Sequence, residues 1–145
     1  MTNSIWHSPL DLSTLNQRGI ETFSHFLAIE FIEAGNDFLT ARMAINSKVM
    51  QPMGIMHGGA TAALAETVAS VAANCCVDQT SKVCVGLELN INHLRPMKKG
   101  YVDAVAKPLH LGKTTQVWEI KIYNPEKKLV SASRLTLAVK EKLSD

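Results

Sequence analysis

The run Gln51-Pro52-Met53-Gly54-Ile55-Met56-His57-Gly58-Gly59-Ala60-Thr61-Ala62-Ala63-Leu64-Ala65-Glu66 decides the fold. From Gly59 to Cys76 the chain is rich in Ala, Leu and Val, with no proline and no glycine past Gly59, which predicts one long helix. Ala60, Ala63, Leu64, Val68, Val71, Ala72 and Cys75 form one broad apolar stripe, and Ala62, Ala65, Ala69 and Ala73 cover much of the rest. A helix hydrophobic all round belongs in a large core or a membrane. Between Lys48 and Asp78 only Glu66 is charged. A lone carboxylate is costly to desolvate unless it is paired or used, and burial raises its pKa, as suits a general base or nucleophile in a dry site. The plainer alternative is that a distant arginine, a backbone amide or the solvent satisfies it. The glycine pair weighs against that. His57-Gly58-Gly59 stands at the helix start, where free N–H groups and the helix dipole can hold a developing oxyanion. Missing side chains at Gly58 and Gly59 let a ligand approach the backbone. Glu66 follows Gly59 by two turns, on the same helix face.

Upstream, Leu10–Gln17 reads as a short amphipathic helix, with Ser8 or Asp11 as cap and Gly19 as stop. Thr22–Phe26 is a further turn whose Phe23 and Phe26 are expected to plug the core. Leu27–Ala34 and Phe38–Ile45 alternate as strands about the turn Gly35-Asn36-Asp37. Downstream the period becomes two. Val83, Val85, Leu87, Leu89 and Ile91 alternate with polar or small residues in a strand ending near Arg95-Pro96. Strands at Tyr101–Leu109, Lys113–Tyr123 and Leu129–Val139 follow, with tight turns between them. The tail Lys140–Asp145 is charged and expected to fray. Hairpin spacing implies a mostly antiparallel sheet, one face of which wraps the helix in an α+β domain spanning residues 1–145. A six-stranded sheet has edges, and pairing with a second copy would hide one, so at least a dimer is expected.

At 145 residues the chain has room for one domain with a real core. Its net charge of +2, with basic residues scattered, leaves no nucleic-acid footprint. Cys75, Cys76 and Cys84 are odd in number and two are adjacent, which predicts reduced core thiols in a cytoplasmic protein. No Cys or His spacing suggests zinc, and no metal or cofactor is expected. The N-terminal run Met1–His7 has neither the basic nor the apolar region of a signal peptide. Gly59–Val77 approaches membrane-span length, but Glu66, Asn74 and several hydroxyls interrupt it and no aromatic or basic anchors flank it, so a membrane helix is rejected.

Taken together, Gln51-Pro52, His57–Glu66, Gly86-Leu87-Glu88-Leu89-Asn90-Ile91-Asn92-His93-Leu94-Arg95-Pro96 and Pro108-Leu109-His110-Leu111-Gly112-Lys113 resemble the hotdog-fold acyl-CoA thioesterases. The resemblance is to the branch holding hydroxybenzoyl-CoA, 1,4-dihydroxy-2-naphthoyl-CoA and phenylacetate-degradation thioesterases, and it covers nearly the whole chain. It implies a sheet wrapped around one long central helix, and hydrolysis of an aromatic or medium-chain acyl-CoA to the free acid and CoA. It makes Glu66 the nucleophile or the general base, and gives the carbonyl to the amide of Gly58 or Gly59. Gln51 would orient the carbonyl or the water, Ser70 would hold the water, and His57 would contact the thioester sulfur or position the loop. His93 and Arg95 would lie near pantetheine and phosphates, with Gly112, Lys113 and Thr114 near the nucleotide. It further implies a cleft between two subunits, in dimers that pair into homotetramers. Leu94 stands where some relatives carry a second His.

Two other classes compete. A non-catalytic acyl-CoA binder on the same fold would not need Glu66. A dehydratase would need an acid/base pair with a poised His, and no such Asp/His constellation accompanies the helix. The acyl group, the choice between CoA and a carrier protein, and the pathway stay open.

Overall fold

The computed structural model describes residues 3–143; Met1 and Thr2 of the N-terminal run and Ser144 and Asp145 of the charged tail lie outside it. Helix α1 (Leu12–Arg18) is capped by Asp11, whose carboxylate accepts from the Ser13 N–H at 3.0 Å and the Thr14 hydroxyl at 2.6 Å, and it stops at Gly19. Asp11, not Ser8, is the cap. A four-residue helix, α2 (Phe23–Phe26), leads into β1 (Ile29–Ala34). Phe23 and Phe26 do not plug the core: they are 63% and 55% exposed. Leu27 takes the inward place, and Ala28 turns the chain with φ 53°, so β1 starts two residues later than the sequence pattern implies.

Strand β2 (Leu39–Ala44) returns antiparallel, and a loop with one 3-10 turn leads to α3 (Gly58–Cys75). The remaining strands are β3 (Lys82–His93), β4 (Tyr101–Leu111), β5 (Thr115–Tyr123) and β6 (Leu129–Glu141). They form one antiparallel sheet in the order β1-β2-β4-β5-β6-β3, leaving β1 and β3 as edges. The sheet curls around α3, which packs on β2, β3, β4, β5 and β6. This is the hotdog arrangement.

The inward row of each strand is apolar as its alternation predicts. Leu39, Ala41 and Met43 of β2, Val102, Ala104 and Ala106 of β4, and Trp118, Ile120 and Ile122 of β5 are fully buried. Against them α3 sets Leu64, Ala65, Val68, Ala69, Ala72 and Ala73, also fully buried. Small residues there bring helix and sheet close. The opposite flank of α3, with Ala63, Glu66, Thr67, Ser70, Val71 and Asn74, is only half-buried. Polar links also cross the core: the Trp118 indole donates to Gln116 at 2.8 Å, and the Ala73 carbonyl accepts from the Gln116 amide at 3.4 Å and the Cys84 thiol at 3.5 Å.

Strand β3 departs from its sequence pattern. A bulge between Gly86 and Glu88 leaves Leu87 unpaired. Before it, Cys84 and Gly86 face the helix; after it, Leu89, Ile91 and His93 do, paired with Leu135, Ser133 and Ser131 of β6. The five apolar residues are thus not one row: Val85 and Leu87 are 40% and 62% exposed beside the free edge. The tail is tied as far as Lys142, whose N–H bonds the Ser81 carbonyl at 2.8 Å, so fraying does not begin at Lys140.

Candidate active site

His57 ends the loop and caps α3. Its Nδ1 accepts the Gly59 N–H at 2.7 Å, and its carbonyl accepts from Ala60 at 3.0 Å and Thr61 at 3.3 Å. The Gly59 amide is therefore occupied. Among the described residues nothing occupies the Gly58 N–H, so of the two candidate oxyanion donors Gly58 is the free one. The cap uses Nδ1 as acceptor, which leaves Nε2 to carry the imidazole proton. It also makes Gly58 the first helical residue, one position earlier than the sequence suggests.

The preceding loop is folded on itself. Gln51 N–H bonds the Ile55 carbonyl at 2.9 Å, Gly54 N–H bonds the Gln51 carbonyl at 3.0 Å, and Gly54 turns with φ 77°. The Gln51 side-chain oxygen accepts the Met53 N–H at 2.5 Å, which leaves its amide NH₂ as a donor. Gln51, Gly58, Thr61, His93, Arg95 and Pro96 together line a groove of about 320 Å³. His93 reaches it because Gly58 lacks a side chain: a Cβ there would stand 2.9 Å from His93 Nε2. Arg95 is partly committed, donating to the Leu129 carbonyl at 2.6 Å.

Glu66 lies eight residues along α3 from Gly58, about 12 Å away by helical rise. It does not line that groove. Among the described residues no hydrogen bond or ion pair reaches its carboxylate, and burial alone pushes its pKa above the ordinary 4.5. Ser70, one turn on, lines a second cavity of about 260 Å³ with Leu15, Ile29, Phe31, Thr67 and Val71, beneath α1. Thr67 bonds back to the Ala63 carbonyl at 2.7 Å, whereas the Ser70 hydroxyl has no hydrogen-bond partner among the described residues.

Gly112, Lys113 and Thr114 form the β4–β5 turn, with Gly112 N–H on the Thr115 carbonyl at 2.8 Å. They lie beside Ala138 and Val139 of β6, whereas His93 pairs with Ser131. Seven residues of strand separate these rows, about 23 Å. Within one chain the expected site therefore falls into three parts: the groove at the start of α3, Glu66 with Ser70 at mid-helix, and the distant β4–β5 turn.

The thiols are not candidates for the chemistry. Burial raises all three, Cys76 to about 12, so little thiolate forms near neutrality. Among the described residues no cluster of His, Cys, Asp or Glu could hold a metal, and no helix is long and apolar enough to cross a membrane. Sequence reasoning missed Gly86, which lies against Glu66. A glycine within a strand pattern was the available signal.

A curled antiparallel sheet wrapped around one long helix defines a hotdog-fold protein. Residues 53–131 match the Thioesterase superfamily, and the chain belongs to that family of thioester hydrolases. It is 44% identical over 135 residues to the 1,4-dihydroxy-2-naphthoyl-CoA hydrolase of Escherichia coli, covering 93% of this chain and 98% of that one. Its fold matches the crystal structure of a mutant thioesterase from Pseudomonas aeruginosa with TM-score 0.94 and 41% identity, over 96% of this chain and 100% of the other. A thioesterase from Haemophilus influenzae matches with TM-score 0.93 and 42% identity, over 97% of each chain.

Proposed function

We propose that the protein hydrolyses acyl-CoA thioesters in the cytoplasm, using a site assembled from two copies of the chain. The observation that carries this is a mismatch within one copy: the free Gly58 amide and the unpaired Glu66 are eight residues, about 12 Å, apart on one rigid helix, too far to act on the same thioester. Strand β3 has a free edge and exposed Val85 and Leu87, and antiparallel pairing of two such edges would cover both. It would also carry the Glu66 flank and the Lys113 turn of one copy toward the Gly58 groove of the other. Dimers of this kind would pair into the homotetramer that the resemblance implies.

In that arrangement the Gly58 N–H, at the positive end of α3, polarises the thioester carbonyl and holds the negative charge that develops on its oxygen. The Gln51 NH₂ is a second donor beside it. Glu66 of the other copy is poised as general base, taking a proton from water as the water oxygen attacks the carbonyl carbon, or as the nucleophile itself. In the first route the C–S bond then breaks, the proton taken by Glu66 passes to the sulfur, and CoA leaves as the thiol with release of the acid. In the second, breaking of the C–S bond leaves an acyl–glutamyl anhydride, the sulfur takes its proton from water, and a water then cleaves the anhydride to free the acid and Glu66. The Ser70 hydroxyl is free to hold the water. The cavity beneath α1, walled by Leu15, Ile29, Phe31 and Val71, suits a compact apolar acyl group. That favours an aryl or short acyl ester, in keeping with the aromatic substrate named for the Escherichia coli relative. Arg95, His93 and Lys113 are assigned to the CoA moiety.

The test is thiol release across benzoyl-, hydroxynaphthoyl-, octanoyl- and acetyl-CoA, with Glu66→Ala as the control. Hydrolysis that survives Glu66→Ala at the native rate removes Glu66 from the chemistry. Binding of acyl-CoA without any hydrolysis across the panel supports a non-catalytic binder instead.

A further inference from the structure

Gly86 sits inside β3 beside the bulge, a place where glycine is common, but its φ is not in the left-handed range that Gly54 and Gly100 occupy, so the bulge does not require a glycine there. The reason lies in space. A Cβ on Gly86 would overlap Glu66 Oε1, whereas its other near neighbour, Leu135 Cδ1, would be at an ordinary 3.7 Å. The missing side chain is thus a slot, and the carboxylate oxygen occupies it.

The depth of that slot is held from one further point. Cys84, the preceding inward residue of β3, turns its N–H and carbonyl to the free edge, because its partner Val139 turns its own N–H to Thr114. Asn74 of α3 meets both. Its Oδ1 accepts the Cys84 N–H at 2.9 Å, and its Nδ2 donates to the Cys84 carbonyl at 3.0 Å and the Ser70 carbonyl at 2.9 Å. One amide therefore staples α3 to β3 two residues from Gly86.

We propose that Gly86 is a positioning residue for Glu66, its bare backbone seating the carboxylate against β3, and that Asn74 sets the spacing of helix and strand that makes the seat. This rests on the assignment of Glu66 as the reacting carboxylate. The side chain that must yield to a methyl at position 86 is the flexible end of Glu66 and not the backbone, so Gly86→Ala folds and moves the acid. A displacement of this size at a reacting group costs on the order of tenfold to a hundredfold in rate.

The experiment compares wild type, Gly86→Ala and Asn74→Ala in steady-state kinetics, thermal melts and a carboxyl-carbon NMR titration of Glu66. Gly86→Ala is expected to lower kcat about tenfold or more with KM within about twofold, while the Glu66 titration moves back toward the ordinary glutamate value as the acid is pushed toward solvent. Asn74→Ala is expected to shift both in the same direction, more weakly. Combining Gly86→Ala with Glu66→Asp is expected to be less than multiplicative, since the shorter acid has already left the slot. Unchanged kcat and unchanged titration in Gly86→Ala overturn the proposal, as does a loss in KM alone. If Gly86→Ala does not fold, Asn74→Ala decides on the same two readouts. If wild type hydrolyses none of the esters, the functional assignment fails, and the titration still reports whether Gly86 seats the acid.

Discussion

The Nδ1 atom of His57 accepts the Gly59 N–H at 2.7 Å, and through that bond two adjacent glycines acquire different roles. Gly59 is spent on the helix cap and Gly58 keeps its amide for the groove. His57→Ala removes the cap and is expected to cost about 1 kcal/mol of stability, read as a lower Tm. His57→Asn, a strong cap, is expected to restore the Tm. If the imidazole Nε2–H also contacts the thioester, the Asn variant recovers stability without recovering kcat. Full recovery of both confines His57 to capping.

The proposed partition of the site between copies has a quantitative consequence. Glu66→Ala and Gln51→Ala, each inactive or nearly so, are mixed after reversible dissociation. In a mixed dimer one of the two sites carries both substitutions and the other carries neither, so random pairing restores about a quarter of wild-type activity. A site contained in one chain restores nothing above the sum of the parents.

Glu66 titrates above 4.5 because burial disfavours its charge. In the proposed mechanism the ionised form acts, so kcat/KM is expected to fall as pH drops through this raised value, with its acid limb above the ordinary glutamate value. The stability sign is opposite. The folded state holds this proton more tightly than the unfolded chain does, so the charge works against folding at neutral pH and that opposition is relieved on acidification. Glu66→Gln is therefore expected to lose about 10²–10⁴-fold in rate while melting higher than wild type at pH 8, with the gap closing toward pH 4. Rate against pH and Tm against pH, measured on both proteins, check the two halves separately.

Lys113 is exposed on the β4–β5 turn, about 23 Å along the sheet from the His93 row of its own chain. If it serves the CoA phosphates of the neighbouring copy's site, Lys113→Ala raises KM for every CoA ester and leaves kcat nearly unchanged. The effect weakens with added salt. An unchanged KM removes it from the site.

Leu64 is fully buried at the centre of the helix–sheet contact. Leu64→Ala is expected to cost about 2–5 kcal/mol in denaturant unfolding, because close packing leaves little room to collapse around the void.

Period and punctuation made most of the fold legible. Alternation placed Leu39, Ala41 and Met43 inward, and the run of small residues from Ala60 to Ala73 marked the enclosed helix. Alternation failed where a backbone irregularity intervened. The bulge at Leu87 reverses the facing of β3, and the row of Val, Leu and Ile masks the one sign of it, Gly86 inside the strand. Phe23 and Phe26 were misread for a related reason: hydrophobicity does not say which side of a four-residue helix meets the core.

The sequence by itself determined the composition of the proposed reactive centre: one acid in an uncharged helix, two glycines after a histidine, and a basic residue at the end of a long strand. Residue type and local spacing carry that information, because charge, backbone freedom and capping are local properties. Only the tertiary structure decided that His93 enters the groove beside Gly58 while Glu66 does not line it, and that the Glu66 carboxylate lies against Gly86. Those depend on distances between segments far apart in the chain, set by how a helix of small residues sinks into a curved sheet, and no local pattern encodes them.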